Sequence, residues 1–342
     1  MRVAFDVSVL GCAPTRGLAR VVTSVIEALE RRAVLDVVRC APPLGTALRR
    51  WRQRELPRLS SATAGVHSFT SAFPLFARGT RVQTVHELPW KHGVRENADL
   101  AHRFWASLGA TRATRIVVPS EHVARALPAY LRRKVRVVPW GVEARFAPES
   151  PPMVVDESVL TRYRLGTDPF VFAPGAVRAK KNLAALLYGL ADRQQNGGAP
   201  LRVLVTGGDS PQLRGDLGLA ARLGLERAVM AVDEIAEADL PSLYRMASAV
   251  SVLSHSEGFG LPVLEALASG TPVLVPRVSA QAEVAGAAGI EVEPGSPSSV
   301  ARGLAQALAE RAARRARATA RAREFNWERT AEHIEELWQE TA

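Results

Sequence analysis

The residues with the clearest chemical potential lie in the stretch 254–273, which reads SHSEGFGLPVLEALASGTPV. An apolar run ends just before it, a glycine-containing loop follows, and Pro262 is placed for the first turn of a helix. Backbone N–H groups at such a helix N-terminus suit a phosphate group. Glu257 in the loop can accept hydrogen bonds from sugar hydroxyls. Glu265, about one turn into the helix, can accept two from neighbouring ribose hydroxyls.

The elements that must position this loop alternate between strands and helices along the chain. Apolar runs typical of strands begin at residues 2–9 and again at 170–173, and helical spacing and further strands follow each of them. This alternation predicts βαβ units, parallel sheets and an α/β fold class. The proline-rich stretch 146–168 is interpreted as a linker. We expect one domain over 1–145, a second over 169–325, and a last helix, about 326–342, that packs back on the first domain.

Two doubly wound, Rossmann-like domains in tandem predict a cleft between them. Ligands of open parallel sheets bind at the carboxyl ends of strands, and clefts between domains are favoured sites. Three local features are also expected. The stretch 298–323 is predicted to form one long helix, Ser120 to cap a helix N-terminus, and Gly141 to adopt a positive φ.

Composition narrows the classes of protein that need to be considered. The 342 residues include 47% hydrophobic side chains, enough for two cores, and the formal net charge is +10. The start lacks a secretory apolar region, and no apolar run reaches the roughly 20 residues that span a bilayer. A cytoplasmic location is therefore expected. Cys12 and Cys40 have no zinc-site spacing and are interpreted as inert thiols.

Several motifs are absent from the sequence. There is no G-x-G-x-x-G after the first strand and no phosphate-binding G-x-x-x-x-G-K-[ST] motif, which argues against dinucleotide and P-loop proteins. There is no Asp-x-Asp pair to hold a divalent ion on a diphosphate. We therefore expect no metal site and no cofactor, with arginine, lysine and helix dipoles supplying positive charge instead.

The stretch 254–273 resembles the E-x7-E signature of glycosyltransferase family 4, whose members are retaining enzymes with the two-domain GT-B fold. The match is nearly complete over this stretch, and the resemblance extends over nearly the whole chain. Residues 3–6 with 14–20 look like the family's first strand and glycine loop. Residues 85–88, Val-His-Glu-Leu, resemble its histidine-acid-leucine motif, and residues 175–183 resemble its basic donor loop.

The resemblance implies a retaining, metal-independent glycosyltransferase. Its donor would be a nucleoside diphosphate sugar, such as GDP-mannose or a related hexose donor, and its acceptor a glycan or a lipid-linked molecule. The resemblance assigns catalytic roles to His86, Glu257, Arg178 and Lys181. Donor contacts fall on Gly17, Gly175, Arg178, Lys181, Val232, Glu257, Gly258, Phe259, Gly260, Leu261 and Glu265. Acceptor contacts fall on His67, Ser68 and His86.

The implied mechanism is substitution on one face of the sugar, with the leaving diphosphate taking the acceptor proton. Glu257 would orient the sugar and Glu265 the ribose, while Arg178 and Lys181 would counter the charge that grows on the leaving group. The chain departs from the family pattern at Ala19, where a glycine is usual, and at Ala176, where an arginine is usual. A catalytically impaired GT-B protein therefore stays open as an alternative.

Two further functions also stay open. A nucleotide-sugar 2-epimerase has a similar two-domain fold, which alone does not separate the two activities, although the intact E-x7-E loop favours transfer. A nucleic-acid-binding protein would use the net charge of +10, but aromatic residues are only 6% and no recognition motif is present. We therefore expect no nucleic-acid partner.

The stretch 48–58 suggests a membrane contact, because it holds five arginines and a tryptophan among eleven residues. Leu48, Trp51 and Leu56 are expected on one side of a short helix with arginines around them. Basic side chains are attracted to an anionic leaflet, and an indole prefers the interface. The pattern predicts peripheral contact with the inner face of the plasma membrane, against the alternative of a solvated basic helix. The residues involved would be Arg49, Arg50, Trp51, Arg52 and Arg54.

Overall fold

The computed structural model describes residues 1–11, 16–43, 45–70, 73–93, 100–148, 156–208 and 210–341. The chain divides into two compact units: unit 1 comprises Met1–Gly141 with Phe325–Ala342, and unit 2 comprises Val142–Glu324. Cys12, and residues 14 and 15 of the expected glycine loop, lie outside the described residues, as does part of the expected linker, 149–155. Within the described ranges each unit contains a six-stranded sheet whose strands pair in parallel, so the α/β prediction is confirmed.

Unit 1 builds its sheet in the order β2-β1-β3-β4-β5-β6. Its strands are β1 (Arg2–Asp6), β2 (Asp36–Cys40), β3 (Gly65–Ser68), β4 (Thr80–Thr84), β5 (Arg115–Val118) and β6 (Val135–Val137). Its first helices are α1 (Arg16–Arg32), α2 (Leu48–Arg54), α3 (Leu56–Leu59), α4 (Leu100–Arg112) and α5 (Glu121–Ala126). The thiol of Cys40 is buried, and burial together with the nearby Asp6 raises its pKa to about 11. Both features agree with an inert thiol at this position, which stays a prediction.

Unit 2 builds its sheet in the order β12-β11-β10-β7-β8-β9. Its strands are β7 (Phe170–Ala176), β8 (Arg202–Thr206), β9 (Val229–Val232), β10 (Ala249–Ser251), β11 (Val273–Pro276) and β12 (Ile290–Val292). Its helices are α6 (Glu157–Arg162), α7 (Leu183–Gln195), α8 (Pro211–Arg222), α9 (Leu240–Met246), α10 (Leu261–Ala268), α11 (Ala280–Ala285), α12 (Pro297–Ala309) and α13 (Arg311–Ala322).

The last helix, α14 (Trp327–Gln339), belongs to unit 1 and packs on α1. Ion pairs join the two helices, with Arg31 Nη2 2.8 Å from Glu328 Oε1 and Arg32 Nε 2.9 Å from Glu335 Oε2. The side chains of Ile334, Leu337 and Trp338 are fully buried. None of the described helices is both long enough and apolar enough to cross a bilayer.

The strand order creates one switch point in each sheet. In unit 1, β1 lies between β2 and β3, and in unit 2, β7 lies between β8 and β10. Ligands of open α/β sheets bind outside the carboxyl ends of the strands at such points, because the connecting helices leave the sheet in opposite directions there. The ends of β1 and β3, and those of β7 and β10, are therefore where functional residues are expected.

Three local expectations have different outcomes. Ser120 caps α5, accepting a hydrogen bond from Val123 N at 3.2 Å, as predicted. The single helix over 298–323 is wrong, because the chain breaks at Glu310 (φ −101°, ψ 9°) between α12 and α13. Gly141 is not among the positive-φ glycines. It is needed for a close approach instead, since a Cβ there would lie 2.3 Å from Trp327 N.

Candidate active site

Two loops meet at the switch point of unit 2. One follows β7 and contains Lys181, and the other follows β10 and contains Glu257. Lys181 Nζ donates a hydrogen bond to Glu257 Oε1 at 2.7 Å. The loops are also joined through the backbone, because His255 N donates to Lys180 O at 2.8 Å. A small cavity at this strand edge is lined by Gly175 at the end of β7 and by residues of both loops, including Lys181 and Ser254.

The turn that presents Lys181 depends on two left-handed residues. Gly175 has φ +89°, and Asn182, the residue before α7, has φ +54°. Asparagine tolerates this region better than most residues. Its side-chain amide donates to Leu253 O at 3.3 Å, which ties the turn to the end of β10. Arg178 opens the same turn and its side chain is exposed.

The charge of Glu257 is strongly stabilised. Burial alone would raise the pKa of its carboxyl. The positive charges of Lys181 and Lys180, with the hydrogen bond from Lys181, outweigh burial and lower the pKa to about 2. Glu257 is therefore ionised at neutral pH. Lys180, only 6% exposed, was missed by the sequence reasoning, and its one signal was the Lys-Lys pair at 180–181.

The loop 257–261 leads directly into α10. Gly260 precedes the helix at φ +104° and ψ +56°, a conformation that side chains resist, and Pro262 lies in the first turn. Gln281 Nε2 holds the preceding loop by donating to Ser254 O at 3.2 Å. The first turn of a helix has N–H groups without partners inside the helix and carries partial positive charge. The arrangement suits a phosphate group, as the sequence suggested for Gly258, Phe259, Gly260 and Leu261.

Glu265 lies inside α10 and is 4% exposed. Its Oε2 accepts a hydrogen bond of 2.6 Å from the hydroxyl of Tyr244 on α9. The Tyr244 ring is packed edge-on against Phe146 and Phe172, with centroids 5.6 and 5.1 Å away. The sequence reasoning missed Tyr244, because a tyrosine in an apolar helix position looks like an ordinary core residue.

The remaining donor candidates belong to different units. Val232 ends β9, and its carbonyl accepts from Gly207 N at 3.2 Å, so it lies at the carboxyl edge of the sheet of unit 2. Gly17 lies in unit 1, exposed in the first turn of α1, where a Cβ would meet nothing within 4 Å. Ala19 is part of the same helix. The structure thus brings Gly175, Lys181 and residues 257–261 together and places Gly17 in the other unit.

His86 follows β4 in unit 1. Its Nε2 lies 3.1 Å from Phe69 O, and its ring lies 5.7 Å from that of Trp140. Burial lowers the pKa of His86 to about 4, although the hydrogen bond to Phe69 opposes this. The ring is therefore neutral at neutral pH. Because a carbonyl only accepts, the proton must reside on Nε2, which leaves Nδ1 as the acceptor.

His67 and Ser68 do not fit the direct acceptor contacts expected of them. Both side chains are fully buried within unit 1. His67 lies 2.8 Å from the Thr84 hydroxyl and stacks on Phe69 at 4.6 Å. Burial, with repulsion from His86 once that ring is protonated in acid, lowers the pKa of His67 to about 3. Ser68 donates to Asp6 Oδ2 at 3.1 Å. Both residues support the ends of strands, so we do not retain them as acceptor contacts.

The expected membrane contact of the stretch 48–58 also needs correction. Trp51 is 2% exposed and packs in a core cluster with Leu56. Arg52 is 7% exposed and donates to Asp6 Oδ2 at 3.0 Å and to Ser8 Oγ at 2.7 Å. The apolar face of α2 therefore points into unit 1, and Arg52 braces the carboxyl end of β1. Arg49, Arg50 and Arg54 remain exposed.

Comparison with known families finds a match that covers the residues of the site in unit 2. Residues 162–325 match the family described as Glycosyl transferases group 1. The matched stretch contains the turn of Lys181, the loop of Glu257 and Glu265. Residues 162–325 are therefore similar to a group 1 glycosyltransferase domain.

The curated relatives are similar to about half of the chain. A D-inositol 3-phosphate glycosyltransferase of Corynebacterium urealyticum is 33% identical over 211 residues, covering 51% of this chain and 49% of the relative. One of Salinispora tropica is 35% identical over 226 residues, covering 60% and 46%. The chain spans about half the length of these relatives.

Solved structures resemble the whole chain. Sucrose-phosphate synthase of Thermosynechococcus elongatus superposes with a TM-score of 0.77 at 19% identity, covering 99% of this chain and 98% of that one. Anabaena HepE in complex with UDP and glucose gives 0.78 at 16% identity, covering 99% and 100%. Identities this low establish the fold alone, and the GT-B fold class is thereby confirmed.

Proposed function

We propose that the chain is a retaining glycosyltransferase that takes a sugar from a nucleoside diphosphate donor and passes it to a glycan or lipid-linked acceptor. The observation that carries this is the Lys181–Glu257 pair at the switch point of a domain similar to group 1 glycosyltransferases, beside the N-terminus of α10. The pair offers a cation for a diphosphate and a carboxylate for sugar hydroxyls, at the strand edge where α/β sheets bind ligands. A fold neighbour bound to UDP and glucose makes nucleotide sugars the first class to test.

The proposed reaction breaks the bond between the anomeric carbon and the β-phosphate oxygen. A bond from that carbon to the acceptor oxygen forms on the same face, and the acceptor proton passes to the leaving diphosphate. Lys181 and Arg178 counter the charge that grows on the leaving group, where stabilisation lowers the barrier most. Glu257 orients the sugar and Glu265 the ribose. In unit 1, we propose that His86 Nδ1 accepts a hydrogen bond from a substrate hydroxyl.

A panel of nucleoside diphosphate sugars tests the donor. A donor that binds the folded protein raises the melting temperature, so UDP- and GDP-hexoses are screened first and hits are then assayed with candidate acceptors. We expect the product to keep the anomeric configuration of the donor, measured by NMR. If no nucleotide sugar shifts the melting temperature, the donor assignment is wrong. Conversion of the donor to its C2 epimer without an acceptor would identify an epimerase instead.

Metal independence is tested separately. Side-chain cations at the turn of Lys181 can counter the leaving diphosphate, so we expect transfer to continue at an unchanged rate in excess EDTA. Loss of transfer in EDTA, restored by Mg²⁺ or Mn²⁺, would contradict this part of the proposal and leave donor binding intact.

A further inference from the structure

Unit 1 exposes several large apolar side chains close to arginines. Leu100 and Phe104 on α4 are 80% and 60% exposed, and Phe76, before β4, is 74% exposed. Leu100 and Phe104 are four residues apart and so lie on one side of their helix. Single exposed apolar residues need no explanation, but a group of them marks an interaction surface.

Contacts show that these residues belong to neighbouring elements. The Arg49 guanidinium on α2 lies 5.4 Å from the centre of the Trp105 ring on α4, and that ring lies 5.9 Å from Phe104. Gln53, one turn after Arg49, donates to Phe73 O at 2.6 Å and accepts from Leu75 N at 3.2 Å. The segment that carries Phe76 is therefore tied to α2. We define the arginine–aromatic surface as Arg49, Arg50, Arg54, Phe76, Leu100, Arg103 and Phe104.

The charged residues of this surface are positive on both helices. Neither α2 nor α4 contains an aspartate or glutamate, and Arg49, Arg50, Arg54 and Arg103 are exposed. The acidic residue next to α2, Glu55, lies 3.8 Å from Arg58. Glu96 and Asp99 precede α4 in the sequence and lie outside the described residues. Exposed apolar side chains among arginines are complementary to the headgroups and upper acyl region of an anionic bilayer.

We propose that the arginine–aromatic surface binds the surface of an anionic phospholipid bilayer. The arginines contact the headgroups, and Leu100, Phe104 and Phe76 enter the interface. This surface differs from the one expected from the sequence, because Trp51 and Arg52 are inside unit 1 and α4 supplies the apolar side chains instead. The inference goes beyond the proposed reaction and holds whichever substrates the protein uses.

Flotation of the 342-residue protein with vesicles tests the proposal. The vesicles are phosphatidylcholine alone or phosphatidylcholine with about a third of phosphatidylglycerol. One variant removes the apolar contacts (Leu100→Gln with Phe104→Gln), and a second removes charge (Arg49→Gln, Arg50→Gln and Arg54→Gln). Their matched controls lie in unit 2: Tyr188→Gln on α7, 45% exposed, and Arg315→Gln, Arg317→Gln and Arg323→Gln at exposed positions of α13 and its end.

We expect the wild type to bind anionic vesicles and not neutral ones. The charge variant should lose at least tenfold in partitioning, since each arginine near the leaflet contributes about fivefold. The apolar variant should lose a similar amount, and both controls should bind as the wild type does. Equal binding to both vesicle types, unchanged binding of both surface variants, or equal loss in the α13 control would overturn the proposal. Nucleoside diphosphate binding of each variant, measured by calorimetry, distinguishes this failure from a failure of the donor site.

Discussion

Two side chains of unit 2 that we assign to different parts of the donor are hydrogen-bonded to each other. Lys181, assigned to the diphosphate, donates to Glu257, assigned to the sugar, and both side chains are less than 20% exposed. A diphosphate that takes Lys181 must therefore compete with Glu257 for the same ammonium group. A complete donor has sugar hydroxyls that can donate new hydrogen bonds to Glu257. A nucleoside diphosphate without the sugar has no group to replace the lost hydrogen bond from Lys181.

This competition predicts opposite effects of Glu257→Gln on two ligands. Removing the carboxylate charge releases Lys181, so affinity for the nucleoside diphosphate should rise by about tenfold, the lower end of what one hydrogen bond to a charged group contributes. Transfer from the complete donor should fall strongly, because the sugar is no longer oriented. Isothermal titration and initial rates measure the two effects. Lys181→Gln is the matched control and should weaken diphosphate binding. Weaker diphosphate binding by Glu257→Gln would show that the two groups do not compete.

Tyr244 is expected to act by positioning Glu265. Tyr244→Phe keeps the packed ring and removes the donor to Glu265 Oε2. Affinity for a ribonucleoside diphosphate should fall several-fold, while that for its 2′,3′-dideoxy analogue, which lacks the ribose hydroxyls, should not change. The matched control is Tyr163→Phe, which removes a similar 2.7 Å bond to Asp239 in the same unit. Equal losses for both nucleotides would assign Tyr244 a purely structural role.

Residue identity could be predicted at the site, but residue accessibility could not. The E-x7-E spacing located Glu257 and Glu265, because the loop and helix that hold them are consecutive in the chain. His67 and Ser68 were expected to contact the acceptor and Arg52 to contact a membrane, yet all three side chains are buried. Their burial depends on partners distant in the sequence, which are Thr84 for His67 and Asp6 for both Ser68 and Arg52. No local pattern reveals which side of a seven-residue helix such as α2 faces inward.

At the scale of elements, the start of α10 depends on backbone conformation. No side chain caps this helix, and Gly260 precedes it in the left-handed region. A side chain at φ +104° would strain the loop that leads from Glu257 to the helix. The position of the E-x7-E loop is therefore set by a glycine as much as by its carboxylates.

Two glycine substitutions in unit 2 should act in opposite directions. Gly260→Ala should destabilise unit 2 by about 1–3 kcal/mol, because alanine resists this backbone conformation. Gly215→Ala should stabilise it by up to about 1 kcal/mol, because Gly215 is exposed inside α8, has no positive φ and would bring its Cβ within 4 Å of nothing. Urea denaturation followed by circular dichroism measures both. A neutral Gly260→Ala would mean that the loop relaxes without strain.

The break between α12 and α13 could not be predicted from the local sequence pattern. Neither glycine nor proline interrupts residues 298–323 except Gly303 inside α12, so the helical spacing continues through Glu310. The two halves pack on different partners, α12 on α7 and α13 on α10. Tertiary packing, which the local pattern does not contain, decides where the helix ends.

At the scale of the molecule, the fold class follows from the sequence because buried parallel strands are nearly continuous apolar runs. In β8, for example, Val203, Leu204 and Val205 are all fully buried. Strand order is not contained in those runs. The packing of the crossover helices places β1 and β7 inside their sheets, and these positions create the switch points.

Acid is expected to destabilise the two units in different pH windows. In unit 1, burial lowers the pKa of His67 to about 3 and that of His86 to about 4, from an ordinary 6.5. The unfolded chain therefore binds protons that the folded unit does not, and stability is lost as the pH falls below 6.5. In unit 2, the pKa of Glu257 is lowered from 4.5 to about 2, so its contribution is complete above pH 4.5 and is lost only as the pH falls from 4.5 towards 2.

Tryptophan fluorescence can follow the first window alone, because all six tryptophans, residues 51, 90, 105, 140, 327 and 338, belong to unit 1. The unfolding free energy reported by fluorescence should fall between pH 6.5 and 4.5, by at most about 1.4 kcal/mol per pH unit for each histidine. His67→Phe keeps a ring beside Phe69 and removes one titrating group, so its slope should be shallower, although the Thr84 hydroxyl loses its partner. Glu257→Gln should leave the slope in this window unchanged. A slope for His67→Phe equal to that of the wild type would show that His67 is not held neutral by burial.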